Sequence, residues 1–337
     1  MFQMPEDLFE IVSVLREMGL LHDDHQFAIE KLGGGVSCDV YRVDVEGRSY
    51  CVKRALPKLR VAADWCAPVA RSHTEVEWIT LVSKLDPNLV AEILGEDRGR
   101  HLFVMKYYSP EHYPVWKSQL ASGVVDVEFA RQVGAALARI HAATAGRREV
   151  AAQFANDEQF YALRLEPYLL YAAERHADVA VRIRAISESI AGARIALMHG
   201  DFSPKNILCG PQGPMILDAE TACYGDPAFD FAFCLNHLLL KCVWHREHRG
   251  RYLASFDALK DAYLARITWE DADVLAIRAA PLLAAFLLAR VDGKSPVEYL
   301  ADQNKEFVRQ IALQFLHNSW LTLDGIAAHW RSRLEGG

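Results

Sequence analysis

The feature that most constrains this chain is the run of residues 198–206, together with a second run at 215–220. The first reads Met-His-Gly-Asp-Phe-Ser-Pro-Lys-Asn and places Asp201 five residues before Asn206, and the second is an apolar segment that leads into Asp218. Short apolar stretches separated by Pro and Gly predict strands joined by tight turns. We therefore expect Asp201, Asn206 and Asp218 to meet at one end of a small sheet.

These three side chains are the set that magnesium-dependent phosphoryl transfer requires. One carboxylate accepts the proton of the attacking hydroxyl, while an Asn and a second carboxylate hold the metal ions that neutralise the phosphates. On this basis Asp201 is the candidate catalytic base, and Asn206 and Asp218 are the candidate metal ligands.

At these residues the sequence resembles the aminoglycoside phosphotransferase and choline kinase family, the small-molecule relatives of the eukaryotic-type protein kinases. The catalytic loop of that family reads His-Gly-Asp with an Asn five residues later, and an apolar strand that ends in Asp follows. Both parts occur here at matching spacing, and residues 225–230 repeat a further family element, in which Asp230 braces the catalytic loop.

The resemblance implies the fold class and the cofactors. The expected fold is α+β, a two-lobed protein-kinase-like fold with a small antiparallel-sheet N-terminal lobe and a larger, mainly helical C-terminal lobe. The expected phosphoryl donor is ATP, and the expected metal ion is Mg²⁺.

A glycine-rich turn between two predicted strands is the candidate phosphate-binding loop. Gly33, Gly34 and Gly35 lack a Cβ, so their backbone N–H groups can approach phosphate oxygens. Cys38 occupies the third glycine position of a Gly-x-Gly-x-x-Gly pattern, which leaves that pattern incomplete. The family often has small polar residues in this loop, and this makes Ser37 a candidate hydrogen-bond donor to phosphate.

Lys53 ends a predicted strand over residues 50–53. In the kinase arrangement a lysine at this place contacts the α- and β-phosphates and pairs with a glutamate of the following helix. The alternative is a solvated lysine at the end of a strand. The predicted helix Arg71–Leu85 offers Glu75 and Glu77 as partners, and the resemblance favours Glu75.

The chain changes character after the last strand of its N-terminal part, where helical patterns begin. By resemblance, the backbone of Met105, Lys106 and Tyr107 is the candidate hinge that meets adenine. We therefore expect a nucleotide-binding lobe over residues 1–107, and a catalytic and substrate-binding helical lobe over residues 108–337.

Apolar residues at helical spacing predict several helices in the C-terminal part. Among them, Phe160–Arg175 has mixed charged and apolar faces, whereas Phe229–Cys242 is strongly apolar. Asp230 lies just inside the second of these, where the helix dipole favours a carboxylate.

Composition limits the possible partners and compartments. The chain has 337 residues, of which 51% are apolar and 24% charged, and a net charge of −7, which argues against nucleic acid or an anionic membrane as the main partner. Glu6 and Asp7 stand where a signal peptide has basic residues, and no apolar stretch approaches the ~20 residues of a membrane span.

The seven cysteines contain no Cys-x-x-Cys pair, which is typical of reduced thiols in a cytoplasmic protein. The oligomeric state stays open.

The segment after Asp218 indicates the kind of acceptor. Only eight residues separate Asp218 from Pro227, whereas a protein kinase needs a much longer activation segment there to bind its peptide. We therefore expect the acceptor to be a hydroxyl of a small molecule, such as a sugar or an amino alcohol. The Asp-x-Glu sequence that ends in Glu220 resembles methylthioribose kinase, which implies a place for Glu220 near the metals, although that enzyme lacks an Asn equivalent to Asn206.

Arg290 ends an apolar helical run and is the candidate contact for the acceptor. Residues 288–293 resemble the late Arg-rich segment of methylthioribose kinase, and an Arg presents a planar fork that suits pairs of oxygens. The alternative is a scaffold role, because basic residues and Gly both favour helix C-termini.

Taken together, these features predict an ATP- and Mg²⁺-dependent kinase of a small molecule. The alternatives are an antibiotic-resistance kinase of the aminoglycoside type, and a nucleotide-binding pseudokinase that acts as a regulatory module.

Overall fold

The computed structural model describes residues 5–33, 37–58, 60 and 68–335 of the chain. The chain divides into two compact units, which are Met1–Ser109 and Pro110–Gly337. Within the described residues, the first unit is built on a five-stranded sheet, whereas the second is mainly helical and carries two two-stranded sheets.

In the first unit the strands follow the spatial order β1-β2-β3-β5-β4, and all neighbours are antiparallel. Its helices and strands, as far as the chain is described, are α1 (Glu6–Glu17), β1 (Phe27–Leu32), β2 (Cys38–Val45), β3 (Arg48–Ala55), α2 (Arg71–Leu85), β4 (Ile93–Asp97) and β5 (Leu102–Lys106).

A helix packs on each face of this sheet. Alternate residues of a strand point to opposite faces, and Tyr50 and Val52 of β3 share one apolar cluster with Ile11 and Leu15 of α1. Lys53 is offset by one position and therefore points to the other face, where α2 contacts β3, β4 and β5.

The second unit begins with short helices and contains two antiparallel strand pairs, β6 with β9 and β7 with β8. Its described elements are α3 (Trp116–Ala121), α4 (Val127–Thr144), α5 (Arg148–Gln153), α6 (Asp157–Phe160), α7 (Tyr171–Arg175), α8 (Ala180–Gly192), β6 (Ala196–Met198), β7 (Ile207–Gly210), β8 (Gly213–Ile216), β9 (Cys223–Gly225), α9 (Ala228–Trp244), α10 (Arg249–Leu264), α11 (Ala272–Asp292), α12 (Asp302–His317) and α13 (Leu323–Glu335).

The core of the second unit is centred on α9 and α11. Phe229 and Phe233 of α9 both meet Phe286 of α11 edge to face, with ring centroids 5.1 Å apart in each pair. Aromatic pairs in this geometry stabilise a core beyond the area that they bury. Packing of its buried face therefore fixes the position of α9, and with it the positions of the polar side chains on this helix.

Helix α11 is long and apolar enough, by length and composition, to cross a membrane, with a mean hydropathy of 1.9. The expectation that no stretch approaches this length was therefore wrong. However, 72% of its apolar window is buried inside the protein, as in a helix that forms the centre of a core.

Several predicted elements are confirmed. The helix predicted over Arg71–Leu85 has those bounds, and the predicted helix Phe229–Cys242 lies within α9. Five of the six cysteines that the structure describes are buried, as expected, and Cys209 is half-buried, while Cys66 lies outside the described residues. The helix predicted over Phe160–Arg175 was wrong in type, because its middle, Tyr161–Leu170, is a π-helix.

Candidate active site

The His-Gly-Asp motif lies in the loop between β6 and β7. Gly200 in this loop has a φ of +77°, a conformation that glycine adopts without the steric cost that a Cβ brings. A Cβ at this position would also come within 2.4 Å of the carbonyl oxygen of Thr221. The loop therefore requires glycine between the histidine and the aspartate.

Asp230, in the first turn of α9, binds the backbone of this loop. Its carboxylate accepts hydrogen bonds from the backbone N–H groups of His199, at 2.6 Å, and Gly200, at 2.9 Å. Two successive N–H groups bound to one carboxylate fix the direction of the chain just before Asp201. The bracing role expected for Asp230 is thus confirmed.

His199 links the loop to the strand that leads into Asp218. Its Nδ1 accepts a hydrogen bond from the N–H of Asp201 at 3.1 Å, and its Nε2 donates to the carbonyl oxygen of Leu217 at 2.9 Å. Burial lowers the pKa of His199, so the imidazole is neutral and can accept on one nitrogen while it donates from the other.

Asp201 is only 3% exposed and is surrounded by donors. Its Oδ2 lies 3.1 Å from Nη2 of Arg164 and 2.8 Å from Nζ of Lys205, and it accepts a hydrogen bond from Nδ2 of Asn206 at 3.1 Å. Burial alone would raise the pKa of Asp201, but the charges of Arg164 and Lys205 outweigh it and hold that pKa below its ordinary value. Asp201 is therefore ionised at neutral pH.

The second carboxylate oxygen of Asp201 differs from the first. Oδ1 is buried and has no hydrogen-bond partner among the residues that the structure describes. Leaving a buried acceptor unsatisfied costs free energy. This oxygen is therefore available to the hydroxyl of an incoming molecule or to a cation.

Asn206 and Asp218 are neighbours, as predicted. The N–H of Leu217 donates to the carbonyl oxygen of Asn206 at 2.9 Å, and the negative charge of Asp218 acts on both Asp201 and Arg164. Asp218 has a φ of +67°, in the left-handed region that Asp and Asn tolerate better than other non-glycine residues. Asn206 and Asp218 thus lie at the same end of the β7–β8 pair, as predicted.

Glu220 is buried beside this group. Its backbone carbonyl accepts a hydrogen bond from Nε2 of Gln159 at 2.6 Å, and its negative charge acts on Arg164. In the described part of the chain no three His, Cys, Asp or Glu side chains converge into a preformed metal site. The amide and carboxylate oxygens of Asn206, Asp218 and Glu220 fit Mg²⁺, which proteins commonly hold through one or two carboxylates together with substrate phosphates.

Two residues that contact Asp201 were missed in the sequence. Arg164 lies on the π-helix Tyr161–Leu170, a rare conformation that is frequent at functional sites, and its Nε also donates to the carbonyl oxygen of Gly200 at 2.5 Å. No local pattern marks this arginine. Lys205 lies within the motif itself, four residues after Asp201, and its spacing was a usable signal.

In the first unit, Lys53 forms a buried ion pair with Glu75. The Nζ atom of Lys53 lies 2.6 Å from Oε2 and 2.9 Å from Oε1 of Glu75. Glu77, the alternative partner, instead pairs with Arg98 at 3.3 Å on the surface. The two glutamates are two positions apart on α2 and therefore point in different directions.

The structure describes only part of the glycine-rich loop. Gly34 and Gly35 lie outside the described residues. At Gly33 a Cβ would meet open space, so the chain at this glycine is accessible. The hydroxyl of Ser37 lies 3.7 Å from Sγ of Cys38.

A buried arginine ties this loop to α2. Arg71 is fully buried, and its guanidinium donates to the carbonyl oxygens of Ser37, Leu56 and Pro68, the last two at 2.7 Å and 3.0 Å. The exit of the loop, the end of β3 and the start of α2 are thus held by one side chain. Sequence reasoning missed Arg71, because its partners are backbone groups that no motif marks.

At the candidate hinge, two backbone N–H groups are already in use. The N–H of Lys106 donates to the carbonyl oxygen of Glu92 at 2.9 Å, and that of Tyr107 to the carbonyl oxygen of Ser49 at 3.2 Å. Met105 is buried and Lys106 is exposed. At Lys106 and Tyr107 the backbone groups that remain for adenine are therefore carbonyl oxygens.

Arg290 lies in the last turn of α11. Its guanidinium donates to the carbonyl oxygen of Ser295 and lies 5.7 Å from the centre of the Tyr168 ring. Its Nε is buried and has no hydrogen-bond partner in the described part of the chain. The arginine thus binds the segment that follows its own helix, and its Nε–H remains without a partner among the described residues.

A family comparison agrees with this fold and with this arrangement of side chains. Residues 28–275 match the family model described as "Phosphotransferase enzyme family" (APH), and the chain belongs to that family.

Among curated relatives, methylthioribose kinase 1 of Oryza sativa subsp. japonica is 24% identical over 240 residues, which cover 63% of this chain and 56% of that protein. The methylthioribose kinase of Enterobacter sp. (strain 638) is 25% identical over 265 residues, 70% of this chain and 64% of that protein. The chain thus spans 56% to 64% of the length of these two relatives.

Solved structures share the fold at lower identity. The amicoumacin kinase hAmiN, in complex with AMP-PNP, Ca²⁺ and Ami, has a TM-score of 0.58 and 15% identity, covering 93% of this chain and 96% of that one. Spectinomycin phosphotransferase APH(9)-Ia, in complex with ADP and spectinomycin, has a TM-score of 0.52 and 14% identity, covering 96% of this chain and 93% of that one. These likenesses confirm the predicted α+β, protein-kinase-like fold class.

Proposed function

We propose that this protein transfers the γ-phosphoryl group of ATP to a hydroxyl of a small molecule. The observation that carries the proposal is the state of Asp201: a buried, ionised carboxylate with one oxygen held by three donors and the other without a partner in the described residues. The methylthioribose kinases among its relatives support a small molecule as the acceptor.

In this proposal the residues of the second unit position the acceptor and stabilise charge. Oδ1 of Asp201 accepts a hydrogen bond from the acceptor hydroxyl and takes its proton as the new phosphate ester forms. Arg164 keeps the carboxylate in place through its contacts to Asp201 and Gly200. Lys205 supplies a positive charge beside the oxygen that attacks, where electrostatic stabilisation is most effective.

Asn206 and Asp218 would hold Mg²⁺, with Glu220 as a third ligand, directly or through water. Bound Mg²⁺ supplies neutralisation of the phosphate charge and orientation of the phosphates. The protein would keep these side chains near Asp201 through its backbone: Leu217 donates to the carbonyl oxygen of Asn206, and Gln159 donates to that of Glu220.

We assign nucleotide binding to residues 1–107 and catalysis with acceptor binding to residues 108–337. Lys53, held by Glu75, contacts the phosphates of ATP, and the loop that contains Gly33, Gly34, Gly35 and Ser37 covers them. The carbonyl oxygens of Lys106 and Tyr107, next to the buried Met105, contact adenine. Five of the six described cysteines are buried, and the sequence has no Cys-x-x-Cys pair. Both features suit a reducing compartment, and we place the enzyme in the cytoplasm.

The test is phosphorylation of a panel of hydroxyl-bearing metabolites and antibiotics with ATP and Mg²⁺, followed by mass spectrometry. The panel includes methylthioribose, choline, spectinomycin and simple polyols. We expect at least one phosphorylated product, formed at least about 10² times more slowly by the Asp201→Asn variant. Binding of ATP without a product from any compound would instead favour the regulatory pseudokinase.

A further inference from the structure

Helix α9 carries three large polar or aromatic side chains on one face. His237, Lys241 and Trp244 follow one another at the i, i+4 and i+7 positions, which align along a helix. Lys241 is 1% exposed and His237 is 9% exposed. A lysine is almost never buried to this extent without a partner.

The ammonium group of Lys241 has no hydrogen-bond partner among the described residues. It lies beside two aromatic rings, 4.1 Å from the centre of Trp244 and 3.8 Å from that of Tyr299, and the two rings stack on each other with centroids 4.4 Å apart. The acidic group whose charge acts on it, Glu298, is exposed and pairs with Lys117 at 2.8 Å. Aromatic faces attract a cation, but they do not replace the hydrogen bonds that it loses on burial.

Other unused polar atoms lie around it. Nε2 of His237, the hydroxyl of Tyr299 and Nε of Arg290 are each buried, and each lacks a hydrogen-bond partner in the described part of the chain. Burial is the main cause that lowers the pKa of His237, and the charges of Arg290 and Lys241 lower it further. These groups therefore act on one another electrostatically. We call His237, Lys241, Arg290 and Tyr299 the cationic cluster.

The cationic cluster lies beside the catalytic loop, within the same unit. The charge of Lys205, which pairs with Asp201, also acts on His237. Helix α3, which carries Lys117, contacts the turn Pro204–Asn206 of the catalytic loop. The cluster and the catalytic loop thus lie in one unit, and the charge of Lys205 in the loop reaches His237 in the cluster.

We propose that the acceptor carries an anionic group, a carboxylate or a phosphate, which binds to the cationic cluster while its hydroxyl meets Asp201. This inference rests on the proposed function and specifies its acceptor. An oxyanion would satisfy Lys241, Tyr299 and Arg290 together, since each offers a donor to oxygen. The same charges disfavour cationic acceptors such as aminoglycosides and choline, because like charges brought together in a buried site repel.

The first experiment compares acceptors that differ only in charge. Polyols of several chain lengths are each offered as the neutral polyol, the sugar acid, the sugar phosphate and the amino sugar, and kcat/KM is measured for each. We expect the acid or the phosphate to exceed the neutral and amino forms by about 10- to 100-fold, the effect of a charged hydrogen bond. Comparison of kcat/KM for the sugar acid with that for the sugar phosphate shows which of the two anionic groups the site prefers.

Two variants assign the preference to the cluster. Lys241→Met keeps the length and apolar contacts of the side chain without its charge, and should remove the preference for anions. Lys294→Met is the matched control, because Lys294 pairs with Glu166 outside the cluster. A preference for neutral or cationic acceptors, unchanged in Lys241→Met, would overturn the inference and leave the proposed function standing.

A binding measurement does not depend on turnover. Inorganic phosphate should raise the thermal unfolding temperature of the wild-type protein and of Lys294→Met, but not that of Lys241→Met. If no acceptor is phosphorylated, the proposed function fails, and this measurement still decides whether the cluster binds anions. An equal response of all three proteins to phosphate would rule out anion binding at the cluster.

Discussion

Arg164 and Asp201 form a buried ion pair in which Nη2 of the arginine lies 3.1 Å from Oδ2 of the aspartate. The same guanidinium donates through Nε to the carbonyl oxygen of Gly200. One planar group therefore pairs with the negative charge of Asp201 and also binds the backbone next to it, which a single ammonium group cannot do with the same geometry.

We predict that Arg164→Lys lowers kcat by about 10- to 100-fold, because misplacement of a catalytic group by about 1 Å can cost as much as 10²-fold. The KM for ATP should change little. Steady-state kinetics check this, with Arg194→Lys as the control, since Arg194 pairs with the half-exposed Asp157. Wild-type kcat in Arg164→Lys would show that a charge at this place is sufficient.

Asp201→Asn should keep the fold and the affinity for ATP but lower kcat by about 10² or more, the contribution of positioned proton transfer. The substitution retains the size of the side chain and removes its capacity to accept the proton. Asp302→Asn, on the surface at the start of α12, is the control. Turnover near the wild-type rate would contradict the assignment of Asp201.

Two substitutions at Asp218 separate the effect of its charge from the effect of its left-handed backbone conformation. Asn tolerates the left-handed conformation observed at this position, whereas Ala does not. We expect both Asp218→Asn and Asp218→Ala to abolish activity, with a loss of thermal stability in the Ala variant alone. Glu220→Gln should show a graded loss and a higher requirement for Mg²⁺, measured by metal titration. An unchanged requirement would place Glu220 outside the metal shell.

The two glutamates of α2 form a matched pair. Glu75→Gln removes the charge that faces Lys53 and should lower kcat/KM for ATP by about 10-fold or more, because the lysine loses the partner that orients it. Glu77→Gln touches only the surface pair with Arg98 and should leave the kinetics and the unfolding temperature unchanged. Equal kinetics in the two variants would contradict the assigned role of the ion pair.

Burial, and after it the charge of Lys117, lowers the pKa of Lys241 to about 7. The unfolded chain holds this proton up to its ordinary pKa of 10.5, so between these two values the unfolded state binds more protons and the wild type gains stability as pH rises. Lys241→Met should therefore be the more stable protein at pH 7 and below, by about 1–3 kcal/mol, and the difference should narrow towards pH 10. Denaturant unfolding across this range checks the sign. A difference that is independent of pH would show that Lys241 is not strained in the native state.

The site residues that could be predicted from the sequence lie close together along the chain. Asp201, Asn206 and Asp218 lie in one continuous segment, where spacing alone brings them together. Arg164 comes from a distant π-helix without a motif. Lys241 was hidden inside an apolar run, although its i, i+4, i+7 spacing with His237 and Trp244 was a readable signal.

Asp230, near the start of α9, and Lys241, near its end, belong to one rigid rod. At about 1.5 Å of rise per residue they are about 17 Å apart along the axis, and the first fixes the catalytic loop while the second belongs to the cationic cluster. In our proposal the helix therefore sets how far the reacting hydroxyl of an acceptor lies from the anionic group of the same acceptor. A series of ω-hydroxy acids of increasing length should show a single optimum of kcat/KM rather than a steady gain, which would mean that the acceptor is selected by length as well as by charge.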